Sequence, residues 1–505
     1  MPGELEGRGQ CGADATGADD ADGEPRRAVP GIWLLACTHA TAAFPFQSAP
    51  GTGRFLVMLT LSVPSAFGCP QAVSSHTVTH AEAPVEIRVP ARGVTGMIRS
   101  MSDAVEQDEQ TDEMSGEERL KQRRKRQISA YRNARRVLAR PGFLGTLRER
   151  LALLEDARHL YDLDESSDIY GNGIVEALEE KVAGLLGTEA AAFFPTGTMA
   201  QQVALRCWAG RTGSPTVAVH ALAHPEVHER NAFSQVSGLR PVRVTGEPRL
   251  PTAAEVRDFE EPFGALMLEL PLRDAGFVLP SWEELTEVVE AARERDAVVH
   301  FDGARLWEST VHFGRPLDEI AGLADSVYVS FYKSLDGYGG AVLAGPRTLV
   351  EEARTWRHRY GGQIFQQFPT ALSALAGLER ELPRLPTYVA HARVVAAALR
   401  EGFAAAGVPW VRVHPGVPHT NEFQVWLPYG ADVLSEAAIR QGEETGTLLF
   451  ADPWDERGPG LALTEVSVRA AGLEWTAEDV KAAVAEFVSR LTEEAGKAGA
   501  EGSGQ

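Results

Sequence analysis

The chain has 505 residues, 44% of them hydrophobic and 24% charged, the composition of a soluble globular protein with ample material for a core. A formal net charge of −21 argues against a protein that coats nucleic acid or an acidic membrane. Cys11, Cys37, Cys69 and Cys207 lie far apart, with no CxxC pair and no histidine-rich spacing, so no metal site and no disulfide framework are expected and the cytoplasm is the expected compartment.

In chain order, the first hundred residues are rich in Ala, Gly, Pro, Ser and Thr and hold no sustained period of 3.6 or 2. Residues 1–115 are therefore read as a low-complexity, disordered extension, which synthesis beginning at Met97 or Met101 would leave mostly untranslated. No run reaches the roughly 18–20 apolar residues that span a bilayer. The stretch "RRAVPGIWLLACTHATAA" from Arg26 has the residue order of a signal sequence but sits behind a glycine-rich acidic leader, and is not read as a working signal. "GEERLKQRRKRQISAYRNARRVLAR" predicts a basic helix in an arm over 116–165. Rather than binding nucleic acid, that helix is expected to pack on an acidic body through Leu120, Ile128, Tyr131 and Leu138.

From Ser166 the pattern changes. Helical stretches of ten to twenty residues alternate with short apolar runs such as "TVAVH", "ALMLELP", "AVVHFDGA", "DSVYVSFYK" and "AVLAG". Strand–helix–strand alternation with continuous Val, Ile and Leu predicts an α/β fold with a mostly parallel sheet covered on both faces, over 166–385. A smaller C-terminal α/β domain is expected over 386–495. It would be built from a long helix, "WVRVHP", "EFQVWLP", "GTLLF", "LTEVSVR" and a last helix from about Thr476 to Leu491. Residues 496–505 are read as a flexible tail.

Ligands in an open α/β sheet bind beyond the carboxyl ends of the strands. Those ends deliver Gly197 and Thr198 at a helix start, His224 and His228 after "VAVH", Asp302 and Arg305 after "VVHF", and Lys333 after "SVYVSFY". A lysine between two core strands is unusual, because lysine is among the residues least often buried. Pyridoxal phosphate needs this combination. Its aldehyde needs an amine, and its ring nitrogen needs a carboxylate that keeps it protonated. Its phosphate suits free backbone N–H groups at a helix N-terminus, and a substrate carboxylate suits an arginine fork.

The stretch from Ser167 to about Gly377 resembles the threonine aldolase / aromatic amino acid β-eliminating lyase family, whose members have the type I fold of pyridoxal-phosphate enzymes. "SDIYGNGIVEALEEKVAGLLGTEAAAFFPTGTMAQQVAL" is similar to the family's first block and "VHFDGARLWES" to its Asp-Gly-Ala-Arg block. "SFYKSLDGYGGAVLAG" is similar to the segment carrying its Schiff-base lysine, and "RYGGQIFQQ" to a glycine-rich block behind it. The resemblance implies that Lys333 holds the cofactor and moves protons at the substrate's α-carbon, and that Asp302 pairs with the ring nitrogen. Gly197 and Thr198 would bind the phosphate, and His224 would stack on the ring, with His228 as its rival. Arg305 would meet the substrate carboxylate or the ring oxygen, and Arg469 matches approximately a late carboxylate-binding arginine. Tyr170 would approach the site from a neighbouring subunit, in a homodimer or homotetramer.

The implied reaction is retro-aldol cleavage of a β-hydroxy-α-amino acid to glycine and an aldehyde. One alternative is β-elimination to a keto acid and ammonia, and another is a non-catalytic pyridoxal-phosphate-binding protein. The text departs from the family after the strand glutamate, where "ELPLRDAGFVLP" lacks the histidine that faces the substrate side chain. Leu272, Phe365 and Tyr332 predict an apolar pocket and a preference for phenylserine-like substrates. The competing expectation turns Arg273 inward to select an acidic side chain.

Overall fold

The computed structural model describes residues 116–139 and 145–502, so the extension 1–115 and its signal-like stretch lie outside the described residues. A seven-stranded sheet holds β1 (Ala190–Phe194), β2 (Thr216–His220), β3 (Arg240–Thr245), β4 (Ala265–Glu269), β5 (Val298–Gly303), β6 (Ser326–Ser330) and β7 (Ala341–Gly345). Its order is β1-β7-β6-β5-β4-β2-β3. Strands β3, β2, β4, β5 and β6 run parallel, and β7 is antiparallel to both its neighbours. The runs "TVAVH", "ALMLE" and "SVYVS" are buried at every position, which is why they show no apolar/polar alternation. The edge strand β3, "RPVRVT", has no such run. Arg240 and Arg243, on opposite faces, are exposed, and Pro241 is tolerated because the strand has a neighbour on one side only. Between β6 and β7 the chain turns through Gly340 at φ +82°, where a Cβ would drive into the Phe193 ring.

Helices α1 (Gly116–Asn133), α2 (Ile174–Leu186), α3 (Gly197–Thr212), α4 (Trp282–Arg293), α5 (Leu385–Ala405), α6 (Ala431–Thr445) and α7 (Ala477–Gly502) supply most of the rest. Helix α4 starts in a capping box: Ser281 accepts the Glu284 N–H, and Glu284 accepts that of Ser281. Helix α5 joins two cores, burying Leu385 and Tyr388 against the large sheet and Val395, Leu399 and Phe403 against the second one. That second sheet is antiparallel, with β8 (Arg412–His414), β9 (Glu422–Leu427), β10 (Asp455–Gly458) and β11 (Leu461–Ser467) in the order β10-β11-β9-β8.

The basic helix α1 lies along α6. Arg126 pairs with Glu436 at 2.8 Å and Glu443 at 2.7 Å, and Arg123 pairs with Asp432. Tyr131 and Leu138 are buried as expected, but Leu120 and Ile128 are exposed, because arginines rather than apolar residues make much of this contact. Behind α1, Arg136–Val137 pairs in parallel with Thr447–Leu448, so "GTLLF" binds the arm instead of joining the second sheet. Helix α7 runs past Leu491 to Gly502, through most of the segment expected to be a loose tail. Arg440 of α6 anchors its late turns through Glu493 and Glu494, at 2.9 and 2.7 Å. Among the described residues no helix is long and apolar enough to cross a membrane.

Candidate active site

Strand register builds the centre of the site. In the parallel rows Glu269 of β4 stands beside Asp302 of β5, and Asp302 beside Tyr328 of β6. All three side chains are buried on one face. Lys333 follows β6 after a short turn, and its ammonium feels the charges of Arg305, Asp302, Glu269 and Glu422. Burial, and then Arg305, lower the Lys333 amine to about 8 despite the carboxylates. The ring of His224, just past β2, lies close enough to act electrostatically on the same pair of carboxyls. Its backbone N–H donates to Glu269 at 2.7 Å, and its Nδ1 lies 3.5 Å from Glu229.

Asp302 is held by a chain of donors. Trp208 Nε1–H can only donate, and it does so to Ser326 Oγ at 2.8 Å. The Ser326 proton therefore turns to His300 Nδ1, also at 2.8 Å, and His300 Nε2–H meets Gln201 Oε1 at 3.2 Å. Gln201 Nε2 in turn donates to Asp302 Oδ2, while Asp302 Oδ1 accepts the Ala304 N–H at 3.1 Å. Burial lowers His300 to about 3, so the imidazole stays neutral and the direction of the chain is fixed. Burial raises Asp302; Lys333, His224, Ala304 and Gln201 oppose it. Glu269 is pushed up to about 7 by burial and by Asp302. It also accepts the Arg273 N–H at 3.3 Å, so one carboxyl braces two loops.

Helix α3 opens beside this centre. Its cap is Thr196, whose Oγ1 accepts the Met199 N–H at 3.2 Å, and Thr198 is exposed one residue inside. The first N–H groups of the helix, those of Gly197 and Thr198, have no intrahelical acceptor. A Cβ on Gly197 would collide with the Tyr328 hydroxyl, so only glycine lets the helix start so close to β6.

On the other side of Lys333 lies a cavity of about 350 Å³. Arg305 Nε is 2.6 Å from Glu422 Oε2, yet neither atom is aligned for a hydrogen bond. Arg469 Nη2 donates to the Lys333 carbonyl at 2.8 Å. Arg273 reaches Glu465 with Nε and Nη2, at 3.2 and 2.9 Å. Tyr332 and Asp452 also line this cavity.

The expected residues are thus mostly brought together: Lys333, Asp302, Arg305, His224, Gly197, Arg469 and Arg273. Tyr170 is not among them within one chain. It is 51% exposed and meets Phe365 edge-on at 5.3 Å. His228 turns to Asp274 at 2.8 Å, which leaves His224 nearer the carboxyls. The apolar pocket is not formed. Leu272 bridges to Val278 inside the main core, and Phe365 lies at the surface with Tyr170. Arginines and carboxyls line the cavity instead. Gln201, His300, Glu422, Asp452 and Glu465 escaped the sequence reading. His300 sits in the matching "VHFDGAR" block and was open to discovery there, whereas the three acids come from distant, unpatterned positions.

A family model described as Beta-eliminating lyase matches residues 162–415. Low-specificity L-threonine aldolase 1 of Arabidopsis thaliana is 28% identical over 283 residues, 54% of this chain and 77% of its own length. The low specificity L-threonine aldolase of Escherichia coli K12 is 32% identical over 244 residues, 47% of this chain and 72% of its own. Among solved structures, a Listeria monocytogenes EGD-E protein provisionally named an L-allo-threonine aldolase superposes with a TM-score of 0.66 at 34% identity, covering 72% of this chain and 99% of that one.

Proposed function

This chain belongs to the beta-eliminating lyase family, and from that membership we propose that it is a pyridoxal-phosphate-dependent lyase cleaving a β-hydroxy-α-amino acid to glycine and an aldehyde. Its fold is the type I fold of such enzymes. The names of its relatives, low-specificity L-threonine aldolases, support this direction of cleavage over β-elimination.

The single observation that carries the reading is a buried lysine whose amine is lowered to about 8, set between a donor-held aspartate and an arginine. The residues fit the cofactor. Gly197 lets α3 start close against Tyr328, and the free N–H groups of Gly197 and Thr198 suit its phosphate. Asp302 suits its ring nitrogen, Lys333 its aldehyde and His224 a ring face. Bound there, pyridoxal phosphate supplies a sink for the electrons released when the Cα–Cβ bond breaks. Asp302, fed by the Trp208-to-Gln201 chain, keeps a proton on the ring nitrogen. Lys333, with an amine that is half protonated near pH 8, can both take and return a proton at the α-carbon. Arg305 and Arg469 orient the substrate carboxylate, and Glu422 holds Arg305 in place. The exposed Ile169, Tyr170, Ile364, Phe365 and Phe368 form an apolar patch that a second copy would cover, in keeping with a homo-oligomer.

Absorbance of the purified protein in the pyridoxal region, followed by product analysis on β-hydroxy-α-amino acids, tests the reading. Glycine with an aldehyde is expected. A keto acid with ammonia would instead establish β-elimination.

A further inference from the structure

The cavity beside Lys333 has a charge pattern that a threonine side chain does not use. Asp336, on its rim, is already engaged by Arg150 and Arg380 at 3.3 and 3.4 Å. With Lys333 committed to the cofactor, three arginines then face three carboxyls: Arg273, Arg305 and Arg469 against Glu422, Asp452 and Glu465. Two of the acids have partners. Glu465 takes both nitrogens of the Arg273 fork, and Glu422 lies against Arg305 and accepts the Ser467 hydroxyl at 2.8 Å. Arg305 and Arg469 hold Glu422 below the usual carboxylate range although burial opposes them.

Asp452 is the exception. Its carboxyl is half-buried, lines the cavity, and accepts no hydrogen bond from any described residue; only its backbone carbonyl is used, by Thr464 at 3.2 Å. Burial, Glu465 and Glu422 push it up to about 7. Carboxyls side by side are costly when one of them, here Asp452, has no cation in contact with it. An incoming α-carboxylate adds one more negative charge to this wall. A substrate that also carried a cation would restore the balance, and the Tyr332 ring on the same wall is a further favourable surface for it.

We propose that this cavity selects a β-hydroxy-α-amino acid whose side chain ends in a protonated amine, gripped by Asp452 and Glu465. The proposal rests on the lyase reading above and names its substrate class. It stands against the acidic-side-chain expectation, because Glu465 already takes Nε and Nη2 of Arg273.

Three β-hydroxy-α-amino acids of equal chain length, ending in an amine, a methyl and a carboxylate, test it on the cofactor-loaded protein. Both equilibrium binding and kcat/KM for glycine release are measured. The amine-ended compound should lead the methyl-ended one at least tenfold in both, and Asp452→Asn should cut that ratio about tenfold. Glu465→Gln, which frees Arg273, should raise the carboxylate-ended compound relative to the other two. A methyl-ended substrate bound and cleaved as well as the amine-ended one overturns the proposal, as does an amine/methyl ratio indifferent to Asp452→Asn. Selective binding without glycine release leaves the cation site standing and removes the lyase reading; glycine release without selectivity does the reverse.

Discussion

Lys333 separates two walls of opposite character. On the Asp302 side every link from Trp208 through Ser326, His300 and Gln201 donates in one direction and ends on the carboxylate. On the cavity side the arginines are only half-buried and the polar groups incompletely matched: Arg305 Nε, Glu422 Oε2 and Arg469 Nε lack an aligned partner. A satisfied network fixes one geometry, whereas an unsatisfied one is stabilised by what binds to it. The first wall is built for a permanent occupant and the second for a passing one.

Substitutions can break this comparison. Lys333→Ala, which removes the group between the walls, should lower kcat by at least about 1,000-fold, and borohydride should no longer fix the cofactor to the protein. A reducible adduct in that variant would show that another amine does the work. Asp302→Asn strikes the satisfied wall and should cost kcat about 100-fold or more while KM changes little, since a neutral amide cannot hold the ring proton. Arg469→Lys strikes the open wall and should do the opposite, raising KM about tenfold with a smaller change in kcat, because a point charge replaces a fork. Equal losses of kcat in these last two variants would erase the distinction between the walls.

A pH series sharpens it further. Only the neutral amine of Lys333 attacks an aldehyde. The amine is lowered to about 8, so the rate of cofactor attachment to the apoprotein should climb about tenfold per pH unit below 8 and level off above it. A rise continuing to pH 10 would mean that burial does not act on this lysine.

The satisfied wall was largely legible in the sequence; of the open wall the arginines were legible and the acids were not. Asp302, Arg305 and Lys333 follow short apolar strands closely, and strand ends are where open sheets present ligand-binding groups. Gly197 and His224 also lie next to strand ends. The missed parts of that wall, Gln201 and His300, look like ordinary helix and strand residues until pairing brings His300 and Ser326 side by side. The acids of the open wall come from the second sheet and its loops, more than a hundred residues along the chain from Arg305. No local spacing announces Glu422, Asp452 or Glu465. Leu272 misled for a related reason: residue type suggested an apolar lining, but a bridge to Val278 turns the side chain into the core.

The docked arm has a consequence for conditions. Ala139, just behind the strand that pairs with Thr447–Leu448, is part of the cavity's lining. The segment that puts it there is fastened by Arg126 and Arg136, whose ion pairs with Glu436, Glu443 and Asp479 are all open to solvent. Such pairs are screened over about 10 Å at 0.1 M salt and over about 3 Å at 1 M. Ionic strength thus becomes a remote control on substrate capture: concentrated salt should loosen the arm and raise KM by a small factor, leaving kcat and the cofactor's spectrum where they were.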